Sequence, residues 1–288
     1  MKLAVIIPAY NEEEFLPITL QSLLGQSRQV DKIVIVNDGS VDGTEGICKA
    51  YSETYAHISF ISNIKKEKRA SGAKVVRAFN LGLKQVSLKD YELIAKIDAD
   101  IEFPADYFEK VIQAFEKDRN LGLFAGVCTI QKNGEWVYEN VANLDHVRGP
   151  IKTYRTEAFL QMNGLRQIMG WDTIDELILR YNGWSVDVDP DLKVKHYRVT
   201  HSINGWYKES KLNGEVFHNL GYNFIVAAMS SAKRAITRQP YLLTGLVSFL
   251  SYIGNKFKAQ PVNLDKMERR FINRYRLKNV GGKNRSTS

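Results

Sequence analysis

Residues 95–104 read AKIDADIEFP, an apolar run closed by two aspartates, Asp98 and Asp100, around the small Ala99. Alternate residues of a strand share a face, so an Asp-x-Asp at a strand end aims both carboxylates roughly the same way. A hard divalent cation such as Mg2+ or Mn2+ binds through one or two such carboxylates and completes its shell with substrate phosphates and water. Held there, it neutralises charge on a departing diphosphate. A chain of this length holds roughly one Asp-x-Asp by chance, so the triplet alone decides little. Two more occur here, Asp187-Val188-Asp189 and Asp189-Pro190-Asp191. They straddle Pro190, and a turn-forming role is expected for them. A separate acidic segment, WDTIDEL, spaces Asp172 from Asp175 and Glu176 by three and four residues, which puts Asp172 on one helical face with either partner. His196 closes an apolar-alternating stretch, LKVKH.

The elements that must position these groups are legible in the hydrophobic pattern. Leu3 to Ile7 is wholly apolar and stops at Pro8, as expected of a strand buried on both faces. A helix follows, with Pro17 in its first turn and Leu16, Leu20, Leu23 and Leu24 at helical spacing up to Gly25. Lys32 to Val36 is the next strand and ends in the turn signal Asn37-Asp38-Gly39-Ser40. Thr44 to Ser52 reads as helix, His57 to Ile61 as strand, Ala73 to Val86 as helix, and Tyr91 to Ile97 as the strand that delivers Asp98. This alternation implies an α/β fold with a mostly parallel sheet, in which ligands sit outside the carboxyl ends of the strands. Three polar strand ends then converge: Pro8 to Glu12, Asn37 to Ser40, and Asp98 to Asp100.

Beyond Asp100 the rhythm is less regular. Ala105 to Phe115 reads as helix, Leu121 to Val141 as strands and turns around Asn133-Gly134, and a helix starts at Asp172 or Thr173. Trp184 to Val188 and Leu192 to His196 read as two short strands. The expected organisation is one domain over 1–201, with a nucleotide-binding half 1–100 and an acceptor half 101–201, followed by a helical, basic extension over 202–288.

Composition excludes several classes. With 44% hydrophobic and 25% charged residues, disorder is not the default. Cys48 and Cys128 stand far apart without Cys-x-x-Cys spacing, so neither a disulfide framework nor a zinc site is expected, and a reducing cytosol fits best. The opening MKLAVIIPAYNEEE reads as a first strand and not as a signal peptide. No window approaches the roughly 20 apolar residues of a spanning helix. The formal charge of +8 is concentrated late: from Lys233 onward the only acids are Asp265 and Glu268. Such a tail favours anionic partners. Within it YLLTGLVSFLSYI, residues 241–253, suits either a helix in a membrane interface or one packed on the core.

The set VIIPAYNEEEFL, VIVNDGSVDGT, SGAKVVRAFNLGL, KIDADIEFP and GWDTIDELILRYNGW, in this order, resembles the family 2 glycosyltransferases of GT-A fold over roughly residues 1–201. The tail is similar to a C-terminal region of some members that build bacterial surface polysaccharides. The resemblance implies an inverting, metal-dependent transfer from a nucleotide-diphosphate sugar to a saccharide or lipid-linked acceptor, with Mg2+ or Mn2+ as cofactor. It implies that Pro8, Ala9, Tyr10, Asn11, Glu12 and Asp38 hold the base and ribose. A carboxylate suits that task because base N–H groups and ribose hydroxyls are donors. Asn11 and Glu12 read equally as the opening of the first helix. Ser71, Gly72 and Ala73 precede a helix whose N-terminus faces the diphosphate, with Arg69 or Lys74 nearby. The resemblance also implies that Asp98 and Ala99 touch the donor, that Asp100 with Asp98 and His196 holds the metal, with His201 as the fallback ligand, and that Arg148 passes under the donor sugar.

The catalytic base of the family lies in an acidic motif at a helix start. Here that motif departs from the usual Glu-Asp, leaving Asp172 as first choice, Asp175 as second and Glu176 in support. Asp172 also reads as a helix N-cap. The expected location is cytoplasmic, peripheral on the cytoplasmic face of the inner membrane, with an anionic surface as partner and no nucleic acid, since no recognition motif accompanies the charge. A Rossmann dehydrogenase is opposed by PAYNEEE, which lacks Gly-x-Gly-x-x-Gly. A receiver domain leaves Asp172 to His201 without purpose. The competing class is a non-catalytic carbohydrate- or membrane-binding module.

Overall fold

The computed structural model describes residues 1–63, 73–139, 146–198, 205–258 and 262–280. The chain divides into two compact units, Met1–Gln167 with Trp171–Val199, and Ile168–Gly170 with Thr200–Ser288.

The first unit opens with β1 (Leu3–Ala9), buried from Leu3 to Ile7. α1 (Leu16–Leu24) follows, with Pro17 in its first turn and its end at Gly25, whose N–H reaches the Gln21 carbonyl. Next come β2 (Lys32–Asn37), α2 (Thr44–Thr54), β3 (Ile58–Ser62), α3 (Ala73–Leu83) and β4 (Leu93–Ile97). All four strands run parallel, in the spatial order β3-β2-β1-β4. The chain therefore winds outward from β1 through β2 to β3, then returns to β4 on the other side of β1. The reversal leaves a crevice at the carboxyl ends of β1 and β4, the place where open α/β sheets take ligands.

The second half of the unit contains β5 (Ile101–Glu102), α4 (Tyr107–Lys117), β6 (Leu121–Lys132), β7 (Glu135–Tyr138), β8 (Ile151–Arg155), α5 (Thr156–Gln161), α6 (Trp171–Tyr181) and β9 (Ser185–His196). Asn133 and Gly134 both take positive φ, 52° and 86°, which is what a two-residue hairpin between β6 and β7 requires. Sequence reasoning missed β8. It lies antiparallel between β4 and β6, and its short IKTYR pattern carries no clear period because both faces are covered.

The two short strands expected around Pro190 are one, β9, whose register on β6 breaks between Ala125 and Val127. In that irregular stretch Asp187 Oδ1 accepts from the Val188 N–H and Asp189 Oδ1 from the Asp191 N–H, each at 2.9 Å. Both carboxylates thus bond to neighbouring backbone N–H groups within β9 itself, and the turn expected at Pro190 is instead continuous strand.

The second unit is helical: α7 (Gly205–Asn219), α8 (Phe224–Thr237), α9 (Leu243–Phe257) and α10 (Lys266–Val280). Among the described residues no helix is long and apolar enough to cross a membrane.

Candidate active site

The loops after β1 and β2 are tied together by reciprocal hydrogen bonds. Asn11, held at φ 55°, donates its N–H to Ser40 Oγ at 3.0 Å, and its Oδ1 accepts the Val41 N–H at 2.9 Å. Asparagine tolerates that left-handed conformation better than most residues. The Glu12 N–H reaches Thr44 Oγ1, and the Asp38 N–H reaches the Ala9 carbonyl, both at 2.8 Å. The Asp38 carboxylate accepts from Asn63 Nδ2 at 2.8 Å. Tyr10 presents an exposed ring with Lys74 Nζ 5.7 Å from its centroid. Pro8 and Ala9 are the last two residues of β1, paired with Val36 and Asn37. The Glu12 carbonyl does accept the Leu16 N–H that opens α1, but the Glu12 carboxylate turns elsewhere, to Arg198 at 2.8 Å.

Beside this loop the Asp-Ala-Asp turn is anchored from beneath. Thr19 of α1 is buried; its hydroxyl donates to the Ala99 carbonyl at 2.8 Å and accepts the Ile101 N–H at 3.0 Å. The Asp98 N–H bonds the Pro150 carbonyl at 2.9 Å, and the Asp98 carboxylate pairs with Lys96. Asp100 is buried, and its Oδ2 lies 3.5 Å from His196 Nε2. β5 and β9 set that approach by pairing Ile101 with His196. The other imidazole nitrogen, Nδ1, lies 3.3 Å from Glu139 Oε2, which also receives Arg148 at 3.0 Å. Burial alone would lower the His196 pKa, but hydrogen bonds to Asp100 and Glu139 outweigh it and raise the pKa to about 9.

These groups fit a divalent cation. Asp100 and His196 bring a hard oxygen and an imidazole nitrogen to one point. Glu12 stands close by: burial, then the charges of Asp100 and Asp98, push its carboxyl up to about 8 against the pull of Arg198. Its buried Oε2 has no hydrogen-bond partner among the described residues. A surplus of negative charge with an orphaned oxygen is the local chemistry that a cation relieves. Cys128, Glu139 and His196 also cluster, with ligand atoms within 4.8 Å of one another. Burial pushes the Cys128 thiol up to about 12, and a hard cation prefers the oxygen and imidazole donors of this cluster to a thiol.

The acidic helix start reaches the same crevice through Gly149. Lys96 Nζ, which pairs with Asp98, also donates to the Gly149 carbonyl at 3.0 Å, and the Asp172 side chain packs against Gly149. Lys96 and Lys152 both point at the ring of Trp171, with Nζ 5.3 and 5.6 Å from its centroid.

The three acids of the motif have different surroundings. The Asp172 side chain keeps 36% of its exposure and has His146 Nε2 at 3.9 Å. Asp175 is buried, with Lys152 Nζ 2.9 Å from both carboxylate oxygens and the Tyr154 hydroxyl donating to Oδ2. Glu176 is buried and accepts from the Val147 N–H at 2.7 Å, with His146 Nδ1 at 2.9 Å. Burial pushes the Asp175 carboxyl up while Lys152 restrains the rise. Burial would raise Glu176 too, but Lys152 and His146 together hold it below the usual carboxylate range. Asp172 is therefore the one acid of the three with its carboxylate available to a substrate.

Gly72, with Arg69 and Ser71, lies outside the described residues, as does His201. Sequence reasoning missed Thr19, Lys96, Glu139, His146, Lys152 and Arg198. A lysine alone inside the apolar strand LIAKI was a readable signal for Lys96, since a buried ammonium needs a carboxylate. Glu139 carried no such signal, because only the β6–β7 pairing turns it inward.

Comparison with known proteins identifies the family and the fold. The family model described as "Glycosyl transferase family 2" matches residues 4–167. The glycosyltransferase YibD of Escherichia coli K12, itself described as uncharacterized, is 33% identical over 138 residues, covering 48% of this chain and 35% of YibD. The minor teichoic acid biosynthesis protein GgaA of Bacillus subtilis 168 is 30% identical over 136 residues, 46% of this chain and 29% of GgaA. The chain thus spans about a third of the length of these curated relatives. Among solved structures, the mannosyltransferase PcManGT of Pyrobaculum calidifontis, in complex with GDP-Man and Mn2+, superposes with a TM-score of 0.62 at 16% identity. That match covers 96% of this chain and 85% of PcManGT. At that identity the likeness speaks for the fold, and the GT-A expectation is borne out.

Proposed function

The chain belongs to glycosyl transferase family 2, and on that premise we propose that it moves a sugar, with inversion, from a nucleotide-diphosphate sugar to a hydroxyl of a saccharide or lipid-linked acceptor. The observation that carries this reading is the link from Asp98 through Lys96 and Gly149 to Asp172. In this reading it joins a donor-side acidic turn to a solvent-reachable carboxylate at the carboxyl end of the central strand β4. A role in cell-surface polysaccharide synthesis draws support from GgaA, whose description is minor teichoic acid biosynthesis. The transferase takes up residues 1–201 in this reading, and residues 202–288 form a helical extension.

Pro8, Ala9, Tyr10, Asn11, Glu12 and Asp38 receive the base and ribose, the Tyr10 ring offering a stacking face and the carboxylates accepting from donor hydroxyls and N–H groups. Asp98 and Ala99 border the ribose and diphosphate. Asp100 and His196 hold Mg2+ or Mn2+, which when bound supplies neutralisation of diphosphate charge. Glu139 orients the His196 ring, as a carboxylate behind a ligating histidine commonly does. Arg148, paired with Glu139, lies on the segment leading to Gly149, under the donor sugar.

Asp172 takes the proton of the acceptor hydroxyl as that oxygen bonds to the anomeric carbon. The bond from that carbon to the diphosphate oxygen breaks on the opposite side, and its electron pair leaves with the diphosphate. Asp175 and Glu176, bound to Lys152, Tyr154 and His146, position the first turn of α6 and touch no substrate. Such a base contributes typically about 100- to 10,000-fold to rate.

The test is a thermal-shift screen of UDP, GDP and dTDP sugars with Mn2+, repeated with a chelator. One donor class is expected to raise Tm, and chelation to remove most of the rise. NAD binding without any nucleotide-sugar response, or no nucleotide release with any donor and acceptor, overturns the assignment.

A further inference from the structure

The helical unit turns the usual pattern of a water-soluble helix inside out. On α9 the buried residues are Thr244, Gly245, Ser248 and Tyr252, whereas Leu243, Leu246, Leu250 and Phe257 lie in solvent, Phe257 with 87% of its surface exposed. Those four positions differ by three, four and seven residues, so they form one continuous stripe along the helix. Leu242 and Ile236, exposed at 72% and 73%, extend the apolar surface past its N-terminal end.

The cause is the close approach of the neighbouring helices. A Cβ on Gly245 would lie 2.4 Å from the Ser231 carbonyl oxygen of α8, and one on Gly214 of α7 would lie 2.3 Å from the Ser248 carbonyl oxygen. Backbones this near admit only small side chains between them, the packing of helices whose outer faces meet apolar surroundings. Leu243, Leu246, Leu250 and Phe257 are left outside, where water is a poor partner.

The surface is also cationic. Between Glu215 and Asp265 the chain has no acidic residue, and Lys233, Arg238, Lys256 and Lys258 are exposed. Arg238 stands before the stripe; Lys256 and Lys258 stand at its end. A second copy laid along the stripe in either direction would bring cations against cations. A bilayer bearing anionic lipid supplies both complements, acyl chains for the leucines and phosphates for the flanking cations. With 15 residues α9 is about 22 Å long, short of the roughly 30 Å hydrocarbon core. It would therefore lie in the interface without crossing.

We propose that the outer face of α9, with its flanking cations, docks this protein on an anionic lipid bilayer. The proposal stands apart from the transferase reading, since it needs no donor or acceptor.

The test is co-sedimentation of the full chain with vesicles of phosphatidylcholine alone or mixed with phosphatidylglycerol. Expected is binding to the mixed vesicles that weakens with salt, falls about tenfold or more in Leu246→Gln/Leu250→Gln, and falls comparably in Lys256→Glu/Lys258→Glu. Both variants should keep the parent Tm and any nucleotide-induced shift, so loss of lipid binding is separable from misfolding and from failure of the transferase reading. Three results overturn the proposal: a chain that stays in the supernatant at low salt, binding that the variants leave unchanged, or a lipid-free dimer that the leucine variant dissociates.

Discussion

Lys152 and Asp175 form a buried ion pair beneath α6, the ammonium 2.9 Å from both carboxylate oxygens and both side chains almost wholly excluded from solvent. Lys152 also donates to the Asp172 carbonyl at 2.6 Å, so the pair grips the helix turn that presents the proposed base. Removing one partner leaves a buried charge uncompensated, which costs roughly 3–5 kcal/mol. Lys152→Met is expected to lose that much in urea unfolding, and Lys152→Met/Asp175→Leu considerably less. Equal losses in the two variants would show that the pair is not what holds this turn.

Asp172 differs from Asp175 in being reachable, and the two asparagine variants should separate accordingly. Asp172→Asn is expected to reduce transfer at least about 100-fold while keeping Tm and donor binding. Asp175→Asn is expected to lower Tm, with kcat falling only as the folded fraction falls. Full activity in Asp172→Asn would remove it from the role of base.

The proposed metal ligands predict a graded series. Asp100→Asn and His196→Gln should each abolish calorimetric Mn2+ binding at concentrations that saturate the parent. Glu139→Gln should weaken binding by about 10- to 100-fold, because it removes the carboxylate that holds the His196 ring without removing a ligand. Parent-like affinity in His196→Gln would leave Asp100 without its partner.

His146 and Glu176 predict a stability window in pH. Burial opposes charge on His146, yet Glu176 and then Asp172 hold its pKa above the ordinary 6.5. Its contribution is complete below that ordinary value and is lost as pH rises through the raised one. Glu176 is depressed, so its contribution is present above the usual carboxylate range and is lost as pH falls through the lowered value. The stability gap between the parent and His146→Gln should therefore narrow on the alkaline side. Urea midpoints from about pH 5 to about pH 9 would measure it; a gap that widens with pH would contradict the assignment.

Much of the first half of this protein is determined by local pattern. Leu3 to Ile7, Lys32 to Val36 and the run into Asp98 are short apolar segments ended by polar turns, and each becomes a parallel strand whose end reaches the crevice. Pro17, Gly25 and Asn133-Gly134 act through their own backbone limits, so the turns and helix ends they mark are readable without a partner. The choice among the three Asp-x-Asp triplets also follows from the sequence, because only Asp98-Ala99-Asp100 ends a buried strand.

What only the tertiary structure decided is which groups face one another. β8 enters between β4 and β6, and that pairing carries Lys152 under Asp175 and brings Pro150 to Asp98. The pairing of β5 with β9 sets Asp100 beside His196 across almost a hundred residues of chain. Strand register is fixed by long-range hydrogen bonding and by which faces are buried, and neither is encoded in residues i and i+2. For the same reason WDTIDEL named three acids, and packing alone buried two of them and left Asp172 at the surface.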